Sequence, residues 1–332
     1  MSKTVDEFMQ KATKRFSCGF ASKRAKKSLI RAFTASSSQD AAQEKELFEK
    51  IVDSVMLTKE GRDTMKALSK LGYSFAFEKG DFGGFCSPED KKIVINPSFG
   101  FEYMLQTAVH EGRHAIQFSM ENPNAPESVK TNVASYLRKA RAIEADAVAH
   151  EMAFVYECRK ALPAVYREAE KQDLPMFRAY VDEMDKSGDQ KKAMQACFAA
   201  WYECDSYRDF YDKWNKDDIK TFCDWAKKEK APDCFTKEYS AEDVLKMCVY
   251  KDKPYMTADF LNTGKAFSVT RKDKEDFLSM MKLYSIVVRG ATADKSVSQM
   301  RERTASGELL PDRKETTKTT ALVSSVLNRK ER

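Results

Sequence analysis

Phe101-Glu102-Tyr103-Met104-Leu105-Gln106-Thr107-Ala108-Val109-His110-Glu111-Gly112-Arg113-His114-Ala115-Ile116-Gln117 is the stretch on which the reading of this chain turns. Phe101, Met104, Leu105, Ala108, Val109, Gly112, Ala115, Ile116 and Ser119 recur at i, i+3 and i+4, which makes one apolar or small face of an α-helix. Gln106, His110, Arg113, His114 and Gln117 form an adjoining polar stripe. Two of the three histidines in 332 residues therefore stand four apart on one helix face. One turn separates them, so their imidazoles can converge on a single ion. Zinc accepts such nitrogen ligands at about 2.0–2.1 Å in a tetrahedral site. Glu111, beside the first histidine, points to the ion's open side, where it can hold and deprotonate a water. The plain alternative is a pair of structural histidines on an amphipathic helix.

A catalytic zinc wants a third protein ligand and keeps one position for water. The metzincin solution needs Gly and His three and six residues after the second histidine, and Gln117 and Met120 stand there instead. The remaining source is an acid on a later helix. Arg141-Ala142-Ile143-Glu144-Ala145-Asp146-Ala147 lies about thirty residues on, inside an Ala-rich helical run that extends to about Lys160. Glu144 and Asp146 are about 200° apart around such a helix, so both cannot face one ion. Glu144 has Ala140, Ala147 and Val148 as neighbours, which lets its helix lie close to the histidine helix, and it is the favoured ligand. Asp146 is the other candidate; otherwise it holds Arg113 or a ligand imidazole. His150 reads as an ordinary helix residue.

The surroundings predict an α+β fold, mainly helical, with a small antiparallel or mixed sheet. Helices are expected over residues 41–56 and 59–71, the first following a Ser36-Ser37-Ser38 linker. Tyr73, Phe75 and Phe77 then alternate with Ser74, Ala76 and Glu78, as in a half-buried strand. Gly80, Gly83, Gly84 and Ser87-Pro88-Glu89-Asp90 mark turns, and Lys92-Ile93-Val94-Ile95-Asn96 is a strand that stops at Pro97. Nearly everything after Phe101 is helical. The expected divisions are a basic segment over 1–40, a core over 41–160, a helical subdomain over 161–288 and a disordered basic tail over 289–332, with a short helix near 321–327. Aromatics such as Phe198, Trp201, Tyr202, Phe210 and Trp214 read as core of the helical subdomain.

The net charge of +6 belongs to the two ends. Residues 1–28 carry eight Lys/Arg against two acids, and 289–332 carry ten against six, leaving 39 basic and 43 acidic residues between them. A slightly acidic body with basic ends argues against a nucleic-acid-binding protein. Eight scattered cysteines without a C-x-x-C pair read as reduced thiols. No apolar run is long enough to span a membrane. The short run Phe16-Ser17-Cys18-Gly19-Phe20-Ala21 is no signal-peptide core, so a cytoplasmic location is expected, with translocation as an effector the alternative. The sequence carries no sign of the oligomeric state.

Taken together, the strand and turn Lys92–Pro97, the H-E-x-R-H helix with its trailing Gln117, and the later R-x-x-E-A-D-A helix resemble bacterial metallopeptidase domains of unknown function on the gluzincin side of the zincins. The register from Glu144 is also similar to the metallopeptidase domain of phage-repressor-cleaving and radiation-response regulators. The resemblance covers roughly residues 70–160. It implies a zincin-like core with Zn2+ as cofactor, His110, His114 and Glu144 as ligands, Glu111 as general base, and a protein or peptide substrate. It further implies that the strand around Ile93–Ile95 is the sheet edge beside the cleft, where an extended peptide adds as a strand. Gly112 stands where such helices often carry a larger apolar residue. The resemblance does not identify an oxyanion-stabilising group, although Tyr136, Arg141 and Tyr156 are near in sequence. The rival reading is a catalytically inactive zincin-fold module with a binding or structural role in a phage or secretion apparatus. The intact Glu111 counts against it.

Overall fold

The computed structural model of the chain describes residues 20–35, 40–172, 174–264, 266–304 and 306–310. Helices α1 (Phe20–Ala32), α2 (Ala41–Val55) and α3 (Lys59–Leu71) precede strands β1 (Ser74–Phe77), β2 (Gly84–Ser87) and β3 (Lys92–Ile95). Then come α4 (Phe101–Met120), the long α5 (Val133–Ala161), α6 (Pro163–Gln172), α7 (Pro175–Ser187), α8 (Gln190–Glu203) and α9 (Asp205–Glu229). The rest is α10 (Ala241–Leu245), a hairpin of β4 (Val249–Tyr250) and β5 (Lys253–Pro254), α11 (Ala258–Leu261), β6 (Ser268–Thr270), α12 (Arg271–Val287), α13 (Ser296–Gln299) and β7 (Arg301–Arg303). This is a mainly helical α+β fold with small sheets.

Contacts divide the chain into two units, one of residues up to Asn122, Ile143–Trp201 and Lys246–Tyr255, the other of Pro123–Ala142, Tyr202–Leu245 and Met256 onward. These lines are not the ones drawn from composition at 160 and 288. The long α5 belongs to both units, and residues 246–255 return to the first, which no local signal announces.

In the first unit, α3 starts where the Thr58 hydroxyl accepts the Gly61 N–H at 3.0 Å. It ends at Gly72, whose φ of +77° brings its N–H to the Leu68 carbonyl. Phe48, Ile51, Val52 and Val55 give α2 a buried stripe. Phe48 packs on Phe33 and on Phe75 of β1, with ring centroids 4.7 and 4.9 Å apart. Gly112 of α4 faces α3, where a Cβ would come within 2.6 Å of Thr64 Cγ2 and 3.1 Å of Leu68 Cδ1. The close approach of the two helices explains why a larger residue is absent.

The three-stranded sheet has the order β1-β3-β2, with β1 parallel and β2 antiparallel to β3. This corrects the sequence reading twice. The glycine-rich segment read as a turn contains β2, too short and too poor in apolar residues to show alternation. The strand read as the edge, β3, is central, and Ile93, Val94 and Ile95 are all buried, as suits a strand covered on both faces. β2 is the outer strand, and among the described residues no strand pairs with its other side. Gly83, just before β2, and Gly84, its first residue, lie on α4: a Cβ on Gly83 would meet the Tyr103 hydroxyl at 2.7 Å. One on Gly84 would meet Thr107 Cγ2 at 2.5 Å and Glu111 Cγ at 3.3 Å. Only glycine lets the strand approach so near this face of the helix.

The second unit has its own core of Val133, Leu137, Ile219, Phe235, Val269, Phe277, Met281, Tyr284, Val288, Val297 and Met300. The expected tail therefore contains structure up to Leu310: α13, and β7 paired in parallel with β6. Its few apolar residues are spread among Ser, Thr, Lys and Arg, and composition alone hid them. The remainder of that tail with its expected helix at 321–327, the Ser36–Ser38 linker and residues 1–19 lie outside the described residues. Phe198 and Trp201 of the first unit and Tyr202 of the second are buried. Phe210 and Trp214 of α9 are exposed and form no core. All seven described cysteines are free thiols. Among the described residues, no helix is long and apolar enough to cross a membrane.

Candidate metal centre

α4 and the second part of α5 bring three donors together. His110 Nε2 lies 3.2 Å from His114 Nε2, and the Glu144 carboxylate oxygens lie 3.5 Å from each ring nitrogen. The three ligand atoms fall within 4.8 Å of one another. A tetrahedral ion with ligands at 2.0–2.1 Å separates its donors by about 3.3–3.4 Å, so the spacing suits one ion. Glu144 Oε2 is buried and has no hydrogen-bond partner. Such an atom is costly unless a cation meets it.

The outer nitrogens explain why the inner ones converge. His110 Nδ1 donates to Glu151 Oε2 at 3.0 Å. His114 Nδ1 lies 2.8 Å from Gln117 Oε1. The Gln117 amide nitrogen donates to the Ile143 carbonyl at 2.9 Å and to Asp146 Oδ2 at 2.6 Å, which fixes the amide's orientation. Its oxygen must therefore accept, and His114 carries its proton on Nδ1. Both rings then aim an Nε2 lone pair at the same point as Glu144. Without a cation or added protons, that arrangement is repulsive.

Asp146 faces away from the cluster and is fully buried. It accepts from Arg113 Nε at 2.6 Å, from Gln117, and from the Tyr255 hydroxyl at 2.7 Å. The Arg113 guanidinium also donates to the carbonyls of Met247 and Val249, at 2.8 and 3.2 Å. His150 is bonded to Glu60 and to the Val249 carbonyl, not to the cluster. The polar stripe of α4 is thus almost wholly buried and internally satisfied.

Glu111 is different. It is buried, yet its carboxylate has no hydrogen-bond or ion-pair partner among the described residues. Burial raises its pKa; His110 and His114 pull the other way, while Glu144 and Glu151 push it up again. Burial would lower both imidazoles, but Glu144 and Glu151 carry His110 well above its ordinary value, and Glu144 raises His114. For Glu144 burial works upward, and His114 and His110 overcome it to hold the group well below the usual carboxylate range. An ion held by these donors would compete with protons for the same ring nitrogens. Tyr136, Arg141 and Tyr156 are each engaged by an acid, Asp218, Asp212 and Asp185 respectively.

A family model described as "Putative metallopeptidase family (DUF6782)" matches residues 23–252. The chain belongs to this family. No curated protein and no solved structure matches it. Membership of a metallopeptidase family implies a metal cofactor, and His110, His114 and Glu144 form a cluster that could hold one. A peptidase acts on peptide or protein substrates. The matched span includes residues 247 and 249, whose carbonyls hold Arg113, so the family extends past the motif helices into this strap.

Sequence reasoning missed Glu151. Its one signal was a position seven residues after Glu144, two turns along the same face of α5. Tyr255 and the carbonyls at 247 and 249 gave no signal at all. Tyr103, eight residues before Glu111 on α4, was also passed over; its phenol is partly buried, and burial with the nearby charges of Glu151 and Glu111 raises its pKa.

Proposed function

We propose that the protein is a zinc-dependent peptidase of the HExxH type, with His110, His114 and Glu144 as the zinc ligands and Glu111 as the general base. The observation that carries this reading is the unpartnered Glu111 carboxylate beside three converging donors. A purely structural metal site has no use for a buried acid left free. Two nitrogens and one carboxylate oxygen at this spacing are the donor set of catalytic zinc.

When bound, zinc supplies Lewis acidity, polarising the scissile carbonyl and acidifying water. Glu111 accepts the proton as water attacks that carbonyl and delivers it to the leaving amine nitrogen. Glu151 and Gln117 keep the two imidazoles in the tautomer that turns Nε2 inward. Glu144 contributes the negative charge that balances the ion. An extended substrate adds to the open edge of β2, whose Gly84 lies against Glu111.

The test is zinc content and proteolysis in the wild type, Glu111→Gln and Glu144→Gln. Wild type and Glu111→Gln should hold about one zinc per chain, with cleavage abolished in Glu111→Gln. Glu144→Gln should lose both. A wild-type protein that takes up no zinc on reconstitution ends this reading, and metal loss in Asp146→Asn with retention in Glu144→Gln reassigns the third ligand.

A further inference from the structure

We infer that Phe85 is a specificity platform, and that the preferred substrates are extended peptides carrying an aromatic or β-branched side chain within two residues of the cleaved bond. The inference rests on the peptidase reading for the position of that bond. Its physical basis is the alternation of β2.

Side chains of a strand alternate between the two faces of its sheet. Gly84 and Cys86 share one face: Gly84 approaches Glu111 Cγ, and the Cys86 thiol feels the Glu111 charge. Phe85, between them, is on the other face, paired in register with Val94. Phe85 is 39% exposed, and its ring meets that of Phe82 edge-on with centroids 5.2 Å apart. This outer strand thus carries an exposed aromatic at the residue next to Gly84, which lies against the proposed base.

A peptide added to the open side of β2 sets one residue directly opposite Phe85, with Cβ atoms about 4.5–5.5 Å apart and side chains on the same face. Aromatic–aromatic and aromatic–β-branched pairs are the favourable cross-strand partners of such a residue. A small or charged side chain there leaves the Phe85 and Phe82 rings in water.

The experiment has a binding arm that does not need turnover. Zinc-loaded Glu111→Gln protein is titrated into fluorescein-labelled undecapeptides that differ only in a central Phe, Ile or Ser. Binding should be about fivefold or more tighter for Phe and Ile than for Ser, a margin expected to vanish on adding Phe85→Ser and to survive Phe85→Tyr. Zinc content and circular dichroism show that the variants are folded. Equal affinities, no binding, or a margin indifferent to Phe85→Ser overturns the inference. In the second arm, wild-type protein is given a denatured peptide library, and cleavage without apolar enrichment around the cut also overturns it. Selective binding without any cleavage keeps the platform and removes the peptidase reading, so the two failures are told apart.

Discussion

His110 and His114 stand one turn apart on α4, yet they are held by opposite means. His110 leans on one partly accessible carboxylate, Glu151, which comes from α5 and has no other hydrogen-bond partner among the described residues. His114 leans on a neutral amide, Gln117, which is tied to Asp146, Arg113, Tyr255 and the carbonyls at 247 and 249. The first support is electrostatic and would act on an ion held by His110, His114 and Glu144. The second is a dry network that also fastens residues 246–255 to the metal helices. Metal affinity and fold stability should therefore answer to different residues.

The largest expected effect is Asp146→Ala. It leaves the Arg113 guanidinium buried without its counter-charge, and breaking a buried pair in this way costs about 3–5 kcal/mol. Urea unfolding of the metal-free protein measures it, and a loss below about 1 kcal/mol would show that the network does not carry the fold. Glu151→Gln should behave in the opposite way. The amide still accepts from His110 Nδ1, so stability changes little, but the lost charge should weaken zinc binding by roughly 10–100-fold in a chelator competition. If Glu151→Gln unfolds the protein as Asp146→Ala does, the contrast between the two supports is wrong.

Gly112→Ala tests both supports at once, because Gly112 sits between the histidines on the side of α4 that faces α3. The new methyl would press on Thr64 Cγ2, a contact that cannot persist at 2.6 Å. Overpacking typically costs about 1–3 kcal/mol, against a helix-propensity gain of up to about 1 kcal/mol. Both imidazoles should shift together, lowering stability and zinc affinity in parallel. Thr64→Ser removes the offending Cγ2 and should restore both. Failure of that rescue would move the cause away from the α3–α4 contact.

The contrast also marks what the sequence could disclose. α3 was legible because Thr58 and Gly72 are local caps, and α4 because its apolar spacing and its two histidines lie within five turns. The angular separation on α5 places Glu144 and Asp146 on different sides, and in the structure Glu144 lies by the histidines and Asp146 by Arg113. The partner of His110 was less visible, since a glutamate at i+7 has many possible tasks until the packing of α5 on α4 is known. The far end of the His114 network was invisible: backbone carbonyls more than 130 positions from Arg113 have no residue-type signature. β2 failed for a related reason. Gly83 and Gly84 answer to the proximity of Tyr103, Thr107 and Glu111, not to a turn.

The smallest expected effect uses Cys86 as a reporter of the open side alone. Burial pushes its thiol from 9.0 up to about 12, the Glu111 charge adds to the rise, and a hydrogen bond with Tyr73 opposes it. Cys86 is partly exposed and the other described cysteines are buried, so in a Cys18→Ser background it is the described thiol a reagent meets first. A thiol pKa so far above 8 leaves little thiolate at pH 8, so alkylation should be much slower than for a free cysteine. Glu111→Gln removes one charge that disfavours the thiolate and should speed labelling by about two- to fivefold. Zinc loading, which adds positive charge beside Glu111, should act in the same direction. Labelling that ignores both changes would mean that Glu111 lies farther from β2 than Gly84 indicates, and the substrate edge would have to be sought elsewhere on the sheet.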